Sequence, residues 1–302
     1  RHQWNLRIPG RMSEAIEPLE KALELDPEFD EAWAALGDVY LLLPEYNEGT
    51  VTEHIPKAVE ATEQALAINP NSAQALTTSA YIKAMYQYQW EEAEQQFIRA
   101  IEINPNYRTA YQWYAEMLAA LRRVDESLIQ LDKAEEVDPL APIIPHIKGW
   151  VTLWDDRLEE ARQHYLDALQ LDPGFPYAIG NLANTHALLG EYDEARARYL
   201  EVADLLDRDP APNQLFVNAL ENPALVEEAV ALLLEAPIPT QPFDVPVTLM
   251  AYGRQDLALD ILLRNFEADG PYLPHVNRMK VFDPLREDPR FRQMLKEMNL
   301  WP

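Results

Sequence analysis

One phrase recurs along this chain and limits what it can fold into. An amphipathic stretch ends in Asp or Asn and is followed at once by proline. It occurs as Leu25-Asp26-Pro27, Ile68-Asn69-Pro70, Ile103-Asn104-Pro105, Val137-Asp138-Pro139 and Leu171-Asp172-Pro173. Proline cannot continue a helix and pushes the residue before it out of the helical region, so each phrase marks a helix end. The steps between these prolines are 43, 35, 34 and 34 residues. A repeat of this length holds two helices and a turn, too small to bury its apolar face alone, so successive copies must stack.

Positions inside the unit fit such stacking. A small residue recurs on the first helix at Gly37, Ala80, Ala115, Gly149 and Ala183. Two more sets lie seven apart on the second helix: Ala15, Ala58, Ala93, Ser127, Ala161 and Ala195, then Ala22, Ala65, Ala100, Ala134 and Ala168. Small side chains let paired helices approach, and Trp33, Leu36, Tyr40, Phe97, Tyr111, Tyr114, Leu131, Tyr165 and Tyr199 fill the gaps. A 34-residue helix–turn–helix period is that of the tetratricopeptide repeat (TPR). The expected fold is all-α, a right-handed TPR-type superhelix of antiparallel helix pairs. Residues 1–210 form the array, a truncated first unit plus five full repeats at 30–70, 73–105, 107–139, 141–173 and 175–207. The 43-residue step places nine extra residues in the turn from Pro44 to His54. Residues 211–302 read as degenerate TPR-like helices, with a Pro-rich break at 237–242 and a helix from Asp288 to Met298 that caps the exposed end.

Composition narrows the function. Lys and Arg number 25 against 51 Asp and Glu, a net charge of −26. Phosphate backbones are bound by cations that this surface mostly lacks, so nucleic acid is a poor partner and a basic peptide an easier one. Such charge also keeps a long solenoid in solution. The absence of cysteine excludes disulfides and thiol chemistry, and no apolar run is long enough to span a membrane. Neither a phosphate-binding glycine loop nor paired histidines at metal-ligand spacing occurs. The acidic pairs Glu91-Glu92 and Glu159-Glu160 open second helices, where the helix dipole explains them. No enzyme activity, cofactor or metal is therefore expected.

First helices line the concave face of such an array. Reading that face gives Tyr81 and Met85; Gln112, Trp113 and Glu116; His146, Trp150, Leu153 and Trp154; and Tyr177, Asn181 and Asn184. Rings supply contact area and amides hold backbone groups, which suits an extended peptide. The competing reading packs Trp113, Trp150 and Trp154 between repeats. Clamp positions that would grip a terminal carboxylate are Ala34, Asp38, Thr78, Thr109 and Trp113, none of them a cation. Residues 275–296 carry six Lys/Arg against three Asp/Glu. This basic stretch either docks on the acidic solenoid, contacts an upstream domain, or forms a solvated cap.

Several phrases together resemble the carboxy-terminal TPR module of bacterial multidomain signalling proteins. They are Arg1-His2-Gln3-Trp4-Asn5-Leu6-Arg7, Tyr88-Gln89-Trp90-Glu91-Glu92-Ala93-Glu94, Gln112-Trp113-Tyr114-Ala115, and Phe282-Asp283-Pro284-Leu285-Arg286-Glu287-Asp288-Pro289-Arg290-Phe291. In that group the module follows a class III adenylyl cyclase, a winged-helix transcriptional regulator or a Ser/Thr kinase, often with a TolB-like domain between. The resemblance implies an effector domain upstream of Arg1 and does not encode the ligand. The groove calls for a protein or peptide ligand, and a cytoplasmic setting is favoured over a periplasmic one. A self-association module, or an enzyme of unrecognised type, are the alternatives.

Overall fold

The computed structural model describes residues 12–46, 48–235, 244–268, 270 and 273–301, and among them there is no strand. The phrase at Arg1–Arg7 and the Pro-rich break at 237–242 lie outside the described residues. A short 3₁₀ turn leads into α1 (Ile16–Leu25), the second helix of the truncated unit. The five full pairs are α2 (Asp30–Leu42) with α3 (Val51–Ile68), α4 (Ala73–Met85) with α5 (Trp90–Ile103), α6 (Arg108–Ala120) with α7 (Val124–Val137), α8 (Ile143–Trp154) with α9 (Leu158–Leu171), and α10 (Pro176–Leu188) with α11 (Tyr192–Leu205). Beyond them come α12 (Ala211–Glu221), α13 (Val226–Glu235), α14 (Asp244–Ala251), α15 (Gln255–Glu267) and α16 (Pro289–Glu297).

The recurrent phrase does two jobs. Asp26, Asn69, Asn104, Asp138 and Asp172 all leave the helix with φ between −142° and −130° and ψ between 81° and 96°. That is the extended conformation a following proline imposes. Four of the five side chains then accept a hydrogen bond from the backbone N–H two residues on, at 3.0–3.1 Å. Proline stops the helix and the Asx oxygen shapes the turn into the next one.

The turn inside each pair carries its own mark. Tyr88, Arg122, Asp156 and Gly190, each 34 residues apart, all have positive φ. Three of the four are not glycine, although a Cβ makes this conformation unfavourable.

The small residues lie where the helices cross. Ala58, Ala65, Ala80, Ala93, Ala100, Ala115, Ser127, Ala134, Ala161, Ala168, Ala183 and Ala195 are all fully buried. Ala15 and Ala22 are only half-buried. A Cβ built on Gly149 would stand 2.6 Å from the Tyr165 ring, and one on Gly37 2.6 Å from Thr62 Oγ1. The nine extra residues of the long step divide between a 3₁₀ turn at Leu43–Tyr46, a short loop, and α3. At 18 residues, α3 is four longer than its counterpart α5. Thr50 caps it, its Oγ1 accepting from Glu53 N–H at 3.2 Å.

The carboxy-terminal stretch departs from expectation. Residues 273–301 do not sit as a solvated cap on the end of the array. They fold back along the first helices of the middle repeats, and Leu273, Val276, Met279, Phe282, Leu285, Phe291, Met294, Leu295 and Met298 are all buried. These side chains form one core with Leu153, Trp154, Tyr165, Leu182, Leu259 and Leu262. The expected end cap is instead an interior element, because its apolar face finds more surface to cover inside the superhelix than at its tip.

Candidate functional site: the concave face and its resident segment

The concave row is polar at its centre. The Tyr81 ring lies 4.9 Å from that of Trp113, and Tyr81 Oη donates to Glu116 Oε2 at 3.3 Å. Gln112 Nε2 donates to Glu116 Oε1 at 3.1 Å, and Arg108 Nη1 to Gln112 Oε1 at 3.1 Å. Asp38, one of the clamp positions, is a buried acceptor for Gln74 Nε2 at 2.7 Å and for the Thr78 hydroxyl. An acid there gives the position the wrong sign for gripping a carboxylate. Tyr81, Met85, Gln112, Trp113, Glu116 and Trp154 are buried, while His146 and Trp150 are half-buried.

The 273–301 segment explains much of that burial. Its first part is two 3₁₀ stretches, Leu273–Asn277 and Lys280–Glu287. A 3₁₀ helix has three residues per turn, so residues three apart eclipse. All of 273–279 are buried, with Met279 extended between the two stretches; in the second, Phe282 and Leu285 are buried three apart while Lys280, Pro284 and Glu287 face out. The segment then becomes the α16 helix, which adds Phe291, Met294 and Leu295.

Trp150 is covered on its face by the Arg278 guanidinium, 3.5 Å from the ring centroid, and met edge-on by His275 at 4.8 Å. Both covering residues are buried. Burial drives the Arg278 guanidinium down to about 9, only partly offset by Glu116. Burial, reinforced by the Arg278 charge, holds the His275 imidazole well below the usual histidine range. None of the three Arg278 nitrogens has a hydrogen-bond partner, and neither has the buried Tyr165 hydroxyl.

Polar contacts pin the segment to the ends of the first helices. Asn277 Nδ2 donates to Ala120 O at 2.9 Å, at the last residue of α6. Lys280 Nζ donates to Asp155 O at 2.8 Å and pairs with its carboxylate at 3.1 Å, just past α8. Asn299 Nδ2 donates to Tyr88 O at 3.1 Å, after α4. Helix C-termini leave carbonyls without intrahelical donors and carry partial negative charge, so amides and a lysine suit them. Trp90 Nε1 donates to Met298 O at 2.9 Å, and Arg122 pairs with Asp283 at 2.8 Å. The phrases around Trp90, Trp113 and Phe282, far apart in sequence, therefore belong to one structural unit.

Among the described residues of the row, the exposed one is on α10. Tyr177 is 43% exposed, and Asn181 and Asn184 are half-buried. A Cβ on Gly180 would meet nothing within 4 Å. Tyr177 closes an aromatic group with Phe175 at 5.7 Å and His146 at 6.2 Å. Asn184 Nδ2 donates to Asn181 Oδ1 at 3.4 Å and accepts from the Tyr199 hydroxyl. His186, on the same helix, pairs instead with Glu191 at 2.5 Å, away from His146. Among the described residues no three His, Asp or Glu side chains are grouped to hold a metal ion. No helix among them is long and apolar enough to cross a membrane.

Segment residues His275, Asn277 and Arg278 were not among the sequence-derived candidates. The signal that marks them is the period-3 ladder from Leu273 to Leu285, which a search for helical periods of 3.6 passes over.

Comparison with known proteins agrees with the geometry. Family models described as TPR repeat or tetratricopeptide repeat match residues 6–43, 83–142 and 155–216. The structure of PilW, a widely conserved type IV pilus biogenesis factor, is 25% identical, with a TM-score of 0.51 over 65% of this chain and 91% of that one. Yeast Tom70 is 17% identical, with a TM-score of 0.53 over 95% of this chain and 62% of Tom70. A human IFIT1 dimer with m7Gppp-AAAA is 17% identical, with a TM-score of 0.58 over 85% of this chain and 68% of that one. At such identity the last two likenesses are of fold alone. This chain is a tetratricopeptide-repeat protein, an all-α superhelix. Its architecture is that of a scaffold, whose usual work is protein–protein interaction.

Proposed function

We propose that the chain is a peptide-binding scaffold serving as the regulatory or sensory interaction module of a bacterial multidomain signalling protein, with α10 as its open binding face. One observation carries the binding reading. The concave row is exposed at Tyr177, beside the half-buried Gly180, Asn181 and Asn184, and its candidates on α4 and α6 are buried. An exposed ring beside two amides suits an extended peptide, with the ring packing a side chain and the amides holding backbone groups. The acidic chain favours a basic ligand. The signalling role is supported by the four family-like phrases, which come with an effector upstream of Arg1.

A labelled library of extended basic peptides, screened by fluorescence anisotropy, tests the binding face. Tyr177→Ala and Asn181→Ala are each expected to weaken a selected peptide about tenfold while leaving far-UV circular dichroism unchanged. Unchanged affinity in both variants would remove α10 as the site. Deleting the array from the full polypeptide and measuring effector output tests the regulatory role, and unaltered output would sink it.

A further inference from the structure

We infer that the α4–α6–α8 groove is a second binding site, and that residues 273–301 are its resident ligand in cis. A partner segment with an apolar residue at every third position and flanking Lys or Arg takes the same place when the resident segment lifts away. This rests on the chain's being a peptide-binding scaffold, and not on the α10 face.

Three observations support exchange rather than permanent closure. First, the resident segment is made as a ligand is made. It buries an apolar residue at every third position (Leu273, Val276, Met279, Phe282, Leu285) and inserts Arg278 over Trp150. It holds the helix ends through the side chains of Asn277, Lys280 and Asn299. A side-chain code of that kind can be supplied by another chain.

Second, the array does not depend on the segment for its own pairing. Helices α2 to α11 pack on sequence neighbours, whereas the segment's anchoring contacts span 125 to 211 residues. Its other contacts are with the neighbouring α14 and α15, so its links to the array are all long-range and open below global unfolding.

Third, docking is incompletely satisfied. It buries the Arg278 guanidinium with no hydrogen-bond partner, and leaves the buried Tyr165 hydroxyl unpaired as well. A competitor need not bury an unpaired guanidinium, and one placing an acceptor near the Tyr165 hydroxyl gains what the resident lacks. Charge favours the same class of partner: the segment is locally basic on a chain of net charge −26.

Tethering sets the scale of the test. A segment held in cis is present at an effective concentration in the millimolar range, so micromolar competitor will not displace it from the wild-type chain. Asp283→Lys breaks the Arg122 pair and sets a third cation beside Arg122 and Arg286. Lys280→Glu breaks the pair with Asp155. The full chain carrying both changes is compared with wild type by hydrogen exchange. Anisotropy follows a labelled peptide of residues 273–301, with a Met279→Asp/Phe282→Asp peptide as control.

Amides of 276–298 in the variant are expected to exchange at least tenfold faster, with those of 73–205 unchanged. The peptide is expected to bind the variant at least tenfold more tightly than wild type, and the control peptide not at all. Equal peptide binding to both chains overturns the inference. So does loss of protection throughout 73–205, which would make the segment part of one indivisible core. Tyr177→Ala leaves peptide exchange unaltered, so failure here and failure of the α10 site are told apart.

Discussion

Gly149 shows how tightly these helix crossings constrain a single residue. Adding only a Cβ there brings an atom to 2.6 Å from the buried Tyr165 ring, which has no room to retreat. Gly149→Leu is expected to lower stability by about 1–3 kcal/mol in urea unfolding. Asp156 points the other way. It is exposed, sits at φ 64° in the α8–α9 turn, and occupies the place Gly190 takes one repeat later. Asp156→Gly is expected to raise stability by about 0.5–1 kcal/mol, the strain relieved less the entropy glycine loses on folding. The small-residue positions were legible in sequence because a crossing tolerates only two or three residue types, and repetition exposes them. The turn residues were not, since Tyr88, Arg122 and Asp156 share a backbone conformation and no side-chain feature.

At the level of elements, the repeated helices and the returning segment differ in what dictates them. The repeat helices are written locally, α1, α3, α5, α7 and α9 by an Asx-Pro stop and all of them by neighbours in adjacent repeats. The 3₁₀ stretches follow a period of three and take their place from partners more than a hundred residues distant. That is why α16 read as an end cap, and why Trp150 and Trp154 read as open groove. His275 offers a test of the docked state. Its imidazole is kept neutral there by burial and by Arg278, whereas a free histidine takes up a proton near 6.5. Docking is therefore fully stable above that value and weakens as pH falls below it, by up to about 1.4 kcal/mol per unit. His275→Leu should flatten the fall in urea midpoint between pH 7 and 5. Glu94, held below the usual carboxylate range first by its bond to Arg123, adds stability that disappears only at lower pH, below about 4.5.

For the molecule as a whole, burial is uneven. The middle repeats have completely buried crossings, whereas α12 and α13 together bury only Val217, Ala219, Ala229 and Val230. Amides of 211–235 are expected to exchange well ahead of those in α6 to α9, and equal protection across both would contradict this gradient. The long reach of the returning segment also has a meaning during synthesis. Domains form from the amino-terminal side while translation proceeds at about 5–20 residues per second. The aromatic face of α4, α6 and α8 is therefore complete roughly 7–30 s before Leu300 emerges to cover it. For that interval a nascent chain displays Trp150 and Trp154 to whatever surrounds the ribosome. Docking of the segment ends that exposure, so the folded molecule keeps the surface covered unless something asks for it.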